Sequence, residues 1–146
     1  MNHQAQNQTF CIDDLLNELH IYVKEQLQNA GKLNIDVEIY EYPNKPACRT
    51  KTDRARLRQI LVILLDNAVK LTDRGFIIFG YHVLDTNIVD FFVDDTGTGV
   101  YHERLSAACD LLGQIGSRLN ENNTKDIGAS YSFSIECEQV ELTKLA

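Results

Sequence analysis

The segment that decides the fold is Arg56-Leu-Arg-Gln-Ile-Leu-Val-Ile-Leu-Leu-Asp-Asn-Ala-Val-Lys-Leu-Thr72. At 100° per residue its leucines and isoleucines fall on one broad face, which predicts a helix over 54–71 that packs on a sheet. A separate stripe of Ile63, Asn67 and Lys70 runs along one flank of that face. A polar amide at the edge of a core is where a ligand would meet such a helix.

The rest of the chain predicts two more helices and a mixed sheet. Helical spacing marks residues 12–30 and about 103–115, each followed by a glycine. Alternating or β-branched segments predict strands at 33–40, 47–51, 75–84, 88–94 and 130–135. We therefore predict a two-layer α/β sandwich, with about three helices on one face of a mixed sheet. Several α+β folds share this pattern, so the motifs must decide between them.

The length and charge of the chain exclude several classes of protein. Its 146 residues fit one domain, with residues 1–10 as a disordered or linker lead-in and 137–146 as a tail. A net charge of -7 argues against nucleic-acid binding and against contact with anionic membranes. No segment approaches the roughly 20 apolar residues of a membrane span, so we expect a cytoplasmic domain. The four cysteines lack metal-ligand spacing.

A second segment, Val93-Asp-Asp-Thr-Gly-Thr-Gly-Val100, leaves a predicted strand and reverses direction. The acid Asp95 could accept a hydrogen bond from an exocyclic amine, and Gly97 and Gly99 would let the backbone approach a flat ring. A glycine turn with a local aspartate is the alternative interpretation. The stripe on the helix also has two interpretations. The Asn67 amide could hold a divalent ion while the Lys70 ammonium meets a phosphate, or both side chains could simply be solvated.

Together the two segments resemble the N box and the G1 box of the sensor histidine kinase catalytic domain. That domain belongs to an ATPase superfamily that also includes gyrase B and heat-shock chaperone ATPases. The strand ending Phe79-Gly-Tyr and the segment Gly128-Ala-Ser-Tyr-Ser-Phe-Ser134 extend the resemblance over nearly the whole chain. It implies a Bergerat-type ATPase fold, a part in two-component signal transduction, and ATP with Mg²⁺ as cofactors.

The resemblance also implies a role for six residues. Asp95 would accept the adenine amine, while Gly97 and Gly99 would form the pocket turn. Asn67 would hold Mg²⁺ through the nucleotide, and Lys70 would contact a phosphate. Ser130 matches a hydroxyl residue near the adenine, although strand alternation sets it opposite Tyr131.

Three departures from the family pattern argue against catalysis. Ile63 stands where the family has a polar residue, and an aliphatic side chain can neither position a nucleophile nor help to bind a metal. After Gly99, five residues lead directly to a helix at Leu105, so the ATP lid and the second glycine box are missing. No phosphoacceptor is visible either, because His20 is followed by Ile21 rather than by an acid.

Two functional interpretations follow from the resemblance, and an unrelated α+β interaction domain stays open as a third. The first is a degenerate kinase-type domain with weak or no ATP binding and a regulatory or protein-interaction role. The second is a functional catalytic domain that transfers the ATP γ-phosphate to a histidine on a separate dimerisation domain. The resemblance implies a dimerisation and phosphoacceptor domain or a response regulator as partner in either case.

Overall fold

Three helices and eight strands form the part of the chain that the computed structural model describes, residues 7–41, 45–97, 105–124 and 128–143. The helices are α1 (Ile12–Asn29), α2 (Arg54–Leu71) and α3 (Leu105–Gln114). The strands are β1 (Gln8–Cys11), β2 (Ile35–Ile39), β3 (Ala47–Thr52), β4 (Gly75–Asp85), β5 (Ile88–Asp95), β6 (Asn120–Thr124), β7 (Gly128–Glu136) and β8 (Glu138–Thr143).

The helices begin and end where the sequence signals place them. Asp53 caps α2, since its side chain accepts a hydrogen bond of 3.1 Å from the N–H of Arg56. The chain leaves α1 through Gly31, whose φ of 72° suits a residue without a Cβ. None of the helices within the described ranges is long and apolar enough to cross a lipid bilayer.

The main sheet has the strand order β2-β4-β5-β7-β6. Strand β2 runs parallel to β4, and every other neighbouring pair is antiparallel, so the sheet is mixed as predicted. Alternate residues of β4, β5 and β7 face a core that α1, α2 and α3 cover. The largest side chains in this core include Phe79, Phe91, Tyr131 and Phe133, all fully buried. The predicted two-layer α/β sandwich is thereby confirmed.

A second, three-stranded sheet stands beside the main one in the order β1-β3-β8. Its outer strands come from the two ends of the described chain, and both pair antiparallel with β3. The sequence pattern predicted only the central strand, at 47–51. The side chains of Phe10 and Cys48 from this sheet are buried in the common core.

Candidate functional site

The carboxyl end of α2 and the carboxyl end of β5 meet at Gly97. A Cβ added to this glycine would lie 2.6 Å from the carbonyl oxygen of Leu71 and 2.9 Å from Oδ1 of Asp95. Any side chain here would have to displace backbone atoms of the helix end. Glycine is therefore required for the turn after β5 to lie directly against α2.

The Asp95 side chain is held in this junction and is only 4% exposed. Its Oδ1 accepts a hydrogen bond of 2.8 Å from the N–H of Gly97, while its Oδ2 is buried without a hydrogen-bond partner in the described structure. Burial raises the pKa of the Asp95 carboxyl, and backbone N–H groups of Gly97 and Ala129 partly offset that rise. The site thus holds a fixed acceptor with an unused lone pair.

Two polar side chains at the end of α2 are similarly left without partners among the described residues. Asn67 is 2% exposed and its amide nitrogen is buried and unpaired. Thr72, the residue that ends the helix, is fully buried and its hydroxyl is unpaired. Buried polar atoms without hydrogen bonds are rare, because each is destabilising by about 1–3 kcal/mol. These unpaired atoms make the carboxyl end of α2 a candidate site, at which a ligand would supply the missing partners.

Thr72 is a candidate that sequence reasoning missed. It completes the segment that decides the fold, but a threonine after the last helical residue suggests only a helix end. A signal was nonetheless present: the segment predicts a buried end for α2, and a hydroxyl there needs a hydrogen-bond partner.

Lys70 is exposed one turn beyond Asn67, on the solvent side of α2. Its backbone carbonyl accepts a hydrogen bond of 3.0 Å from Nζ of Lys32, which also bonds the carbonyl of Val69 at 2.7 Å. Nζ of Lys32 lies 3.3 Å from a carboxylate oxygen of Asp73. Lys32 therefore satisfies carbonyls at the helix end and fixes the segment that carries the candidate residues.

The first residues of β4 and β7 enclose the junction from the sheet side. Thr96 donates to the carbonyl of Arg74 at 2.8 Å and accepts from the N–H of Phe76 at 3.0 Å. Gly128 has a φ of 130° and passes so close to the Asp95 carbonyl that a Cβ would overlap it. The residue facing Asp95 across the sheet is Ala129. Its backbone N–H is one of the two groups that partly offset the raised pKa of Asp95, while its methyl group cannot bond the unpaired Oδ2.

The structure does not bring Ser130 to this junction. Ser130 pairs with Asp94 in the sheet and donates its hydroxyl to that carboxylate, on the face opposite Asp95. Gly99, the second glycine of the predicted turn, lies outside the described residues. Ile63 is partly buried and packs against the core, one turn before Asn67. The structure thus brings Asp95 and Gly97 together against the end of α2, the helix on which Asn67 is buried and Lys70 is exposed.

The opposite end of the sheet has a cavity of about 420 Å³, next to the first turn of α2. Two of its basic lining residues are already paired with acids: Arg56 lies 3.8 Å from Asp53, and Lys51 lies 3.7 Å from Glu138. Among the described residues no group of three or more His, Cys, Asp or Glu side chains could hold a metal. This cavity therefore offers no free charge to a phosphate.

Comparison with known proteins points to one family. No protein-family model matches the chain. The chain is 29% identical over 135 residues to the Haemophilus influenzae aerobic respiration control sensor protein ArcB homolog, covering 92% of the chain and 39% of that protein. It is 32% identical over 103 residues to the Schizosaccharomyces pombe peroxide stress-activated histidine kinase mak2, covering 64% of the chain and 4% of that protein. The chain thus spans less than half of either relative.

Solved structures share the fold. Full-length ShkA, solved in complex with AMPPNP, matches with a TM-score of 0.79 at 22% identity, covering 93% of this chain and 32% of ShkA. The catalytic domain of histidine kinase ThkA matches with a TM-score of 0.70 at 19% identity, covering 92% of this chain and 99% of that domain. The chain therefore has the fold of histidine kinase catalytic domains, and its sequence is similar to that of the ArcB homolog over 92% of its length.

Proposed function

We propose that the chain is a degenerate catalytic-type domain of a two-component sensor histidine kinase, which binds adenine nucleotide weakly and works through protein contacts. The observation that carries the proposal is the Asp95 carboxylate, with one oxygen fixed by Gly97 and the other buried and unpaired. A buried acceptor in this state supports recognition of a hydrogen-bond donor.

Adenine fits this junction on chemical grounds. Its exocyclic amine is a donor for the free oxygen of Asp95, and the hydroxyl of Thr72 could donate to or accept from a ring nitrogen or a bound water. Gly97 lets the turn after β5 lie directly against the end of α2, which holds the Asp95 carboxylate at this junction. The AMPPNP complex of ShkA, which has the same fold, supports adenine nucleotide as the ligand class.

Mg²⁺ and the phosphates fit less completely. Asn67 can offer an amide oxygen to an ion that the nucleotide itself carries, and Lys70 is exposed beside it for a phosphate. A bound Mg²⁺ would neutralise phosphate charge. The sequence lacks the lid and the second glycine box, and Ile63 supplies no polar group at the metal side. The proposal is therefore weak binding without phosphoryl transfer, since that reaction depends on positioned phosphates.

We place this domain in the cytoplasm, with the dimerisation and phosphoacceptor domain of a histidine kinase or a response regulator as its partner. One curated relative is a sensor protein more than twice as long as the matched segment, and the other is a histidine kinase many times longer than it. A net charge of -7 supports a protein partner rather than nucleic acid or an anionic membrane.

Calorimetric titration with Mg²⁺-AMPPNP tests the proposal. We expect a dissociation constant on the order of 100 µM or weaker. Asp95→Asn should abolish the signal, because its amide presents a donor to the adenine amine. The matched control is Asp94→Asn, which removes the same charge from the opposite face of the sheet and should bind like the wild type. A low-micromolar constant would contradict the degenerate site, and no signal at millimolar nucleotide would contradict nucleotide binding.

Phosphoryl transfer is tested separately with labelled ATP and a histidine kinase dimerisation domain carrying its histidine. We expect no label on that domain above the level obtained with Asp95→Asn. Labelling well above that level would establish the alternative, a functional catalytic domain.

A further inference from the structure

The face of the main sheet turned away from the helices carries a cluster of three rings, Tyr40, His82 and Phe92, here called the aromatic patch. His82 and Phe92 stack with centroids 5.2 Å apart and an interplanar angle of 17°. Tyr40 contacts both, at 5.2 Å from His82 and 5.7 Å from Phe92. The rings thus form one continuous surface across β2, β4 and β5.

Gly80 makes this arrangement possible. It lies on β4 between the rings, and a Cβ there would be 2.8 Å from the Cβ of Tyr40 and 3.2 Å from the ring of Phe92. Without a side chain at this position the two flanking rings can close over the strand. The aromatic patch is therefore held in place by the sheet before any partner arrives.

Carboxylates surround the aromatic patch. Glu38 lies two residues before Tyr40 on the same face of β2 and is exposed. Asp90 stands directly opposite His82 in the sheet, and Asp94 follows Phe92 by two residues. Serines of β7 fix these two aspartates: Ser134 donates to Asp90 at 3.0 Å, and Ser130 donates to Asp94.

No cation balances these acids in the described structure. The ion pairs found among the described residues involve neither Glu38 nor Asp90 nor Asp94. The strand positions on this face of β2, β4, β5 and β7 include no lysine or arginine. A cavity of about 300 Å³ opens beside His82, with Pro46 and Leu142 in its wall.

We propose that the aromatic patch and its three carboxylates form a docking surface for an arginine-bearing segment of a partner protein. A guanidinium can stack on aromatic rings while its N–H groups reach carboxylates, and its aliphatic stem suits the adjoining apolar cavity. The arginine is favoured over lysine because its charge is planar and less strongly hydrated. This surface lies on the face opposite Asp95, so the inference does not depend on nucleotide binding.

The test is a titration of the full chain with a hexa-arginine peptide. Calorimetry measures the affinity, and NMR of the side-chain and amide signals locates the binding surface. We expect the largest shifts at Tyr40, His82 and Phe92, and at least threefold tighter binding than with hexa-lysine. A hexa-citrulline peptide, which keeps the shape without the charge, should not bind. Shifts centred elsewhere, or equal affinity for the two cationic peptides, would overturn the proposal.

Matched charge variants separate this surface from general electrostatic attraction. The double variant Glu38→Gln with Asp90→Asn should weaken hexa-arginine binding at least fivefold. The control, Asp14→Asn with Glu25→Gln, removes two exposed charges from α1 and should change it by less than twofold. Equal losses in the two double variants would show attraction by net charge alone and would refute the docking surface.

A second copy of the chain is the competing occupant, and sedimentation distinguishes it. We expect a monomer at concentrations used for the titration. A dimer that Phe92→Thr dissociates would assign the aromatic patch to self-association instead. Phe92 is half-buried, so Phe92→Thr could fail to fold. In that case the exposed variant Glu38→Gln replaces it, and a dimer that Glu38→Gln dissociates would likewise assign the aromatic patch to self-association.

Discussion

The polar groups at the two ends of α2 differ in whether they have hydrogen-bond or ion-pair partners. At the amino end, Asp53 caps the helix, and Arg54 and Arg58 both pair with Glu18 on α1, at 3.5 Å and 2.7 Å. At the carboxyl end, Asn67 and Thr72 bury polar atoms that have no partner among the described residues. One helix therefore carries both a satisfied end and an unsatisfied end.

This difference separates a structural role from a binding role. Paired charges at the amino end orient α2 on α1, and they need nothing from outside. Unpaired atoms at the carboxyl end are destabilising unless a ligand bonds them, and such features are retained where binding requires them. The contrast predicts that substitutions at the amino end lower stability, while removing an unpaired group at the carboxyl end raises it.

The largest expected effect comes from adding a side chain at Gly128, which lies against the backbone of Asp95. Gly128→Ala should lower the free energy of unfolding by about 3 kcal/mol, because its Cβ would overlap the Asp95 carbonyl and its φ is positive. The matched substitution Gly113→Ala, at an open position inside α3, should instead raise stability by about 1 kcal/mol. Urea unfolding of both variants measures the difference. Equal effects would show that the junction is not closely packed.

Asp95→Asn should stabilise the nucleotide-free protein by about 1 kcal/mol at neutral pH, because it removes a buried carboxylate charge. The pKa of Asp95 is raised in the folded state because burial destabilises its charged form. At low pH the carboxyl is protonated in both the folded and the unfolded state, so its charge does not destabilise the fold. The gain should vanish below the ordinary carboxyl pKa and grow as the pH rises through the raised folded-state pKa. Thermal unfolding from pH 3 to 8 measures this dependence, and a gain that does not change with pH would refute the cause.

A pair of buried threonines tests the contrast directly. Thr72 and Thr50 are both fully buried, but only Thr50 is bonded, donating to the carbonyl of Glu138 at 3.1 Å. Thr72→Val should raise the free energy of unfolding by about 1 kcal/mol, and Thr50→Val should lower it by about the same amount. Chemical unfolding of the two variants suffices as the measurement. The same sign for both would mean that the Thr72 hydroxyl has a partner, such as a bound water.

Much of this molecule could be predicted from its sequence, because its strongest signals are local. Helix α2 has the predicted bounds of 54–71, and the alternation of 130–135 gives the buried face of β7. The small sheet could not be predicted in full, since β1 and β8 are short and acquire their partners only through long-range pairing with β3. Hydrophobic periodicity carries no information about such pairing.

The candidate site was predictable in part for the same reason. Asp95 and Gly97 are adjacent in one motif, so their contact is local, and the motif could indicate it. Thr72 became visible as a candidate only when the packing showed a buried hydroxyl without a partner. Ser130 matched by resemblance, yet the strand period directs it away from Asp95.

The smallest expected effect concerns the satisfied end of α2. Glu18→Gln should lower the free energy of unfolding by about 0.5 kcal/mol or less, because the paired side chains are largely exposed and solvent screens them. The hydrogen bond from Arg58 lowers the pKa of Glu18 below its ordinary value of 4.5. The stabilisation is therefore present above that value and is lost as the pH falls through the lowered folded-state pKa. Unfolding at 0.05 M and 1 M salt should show a smaller effect at high salt, since screening acts on exposed pairs. An effect as large as that of Gly128→Ala would mean that the pairs at this end determine the fold, and that its charges do more than orient one helix on another.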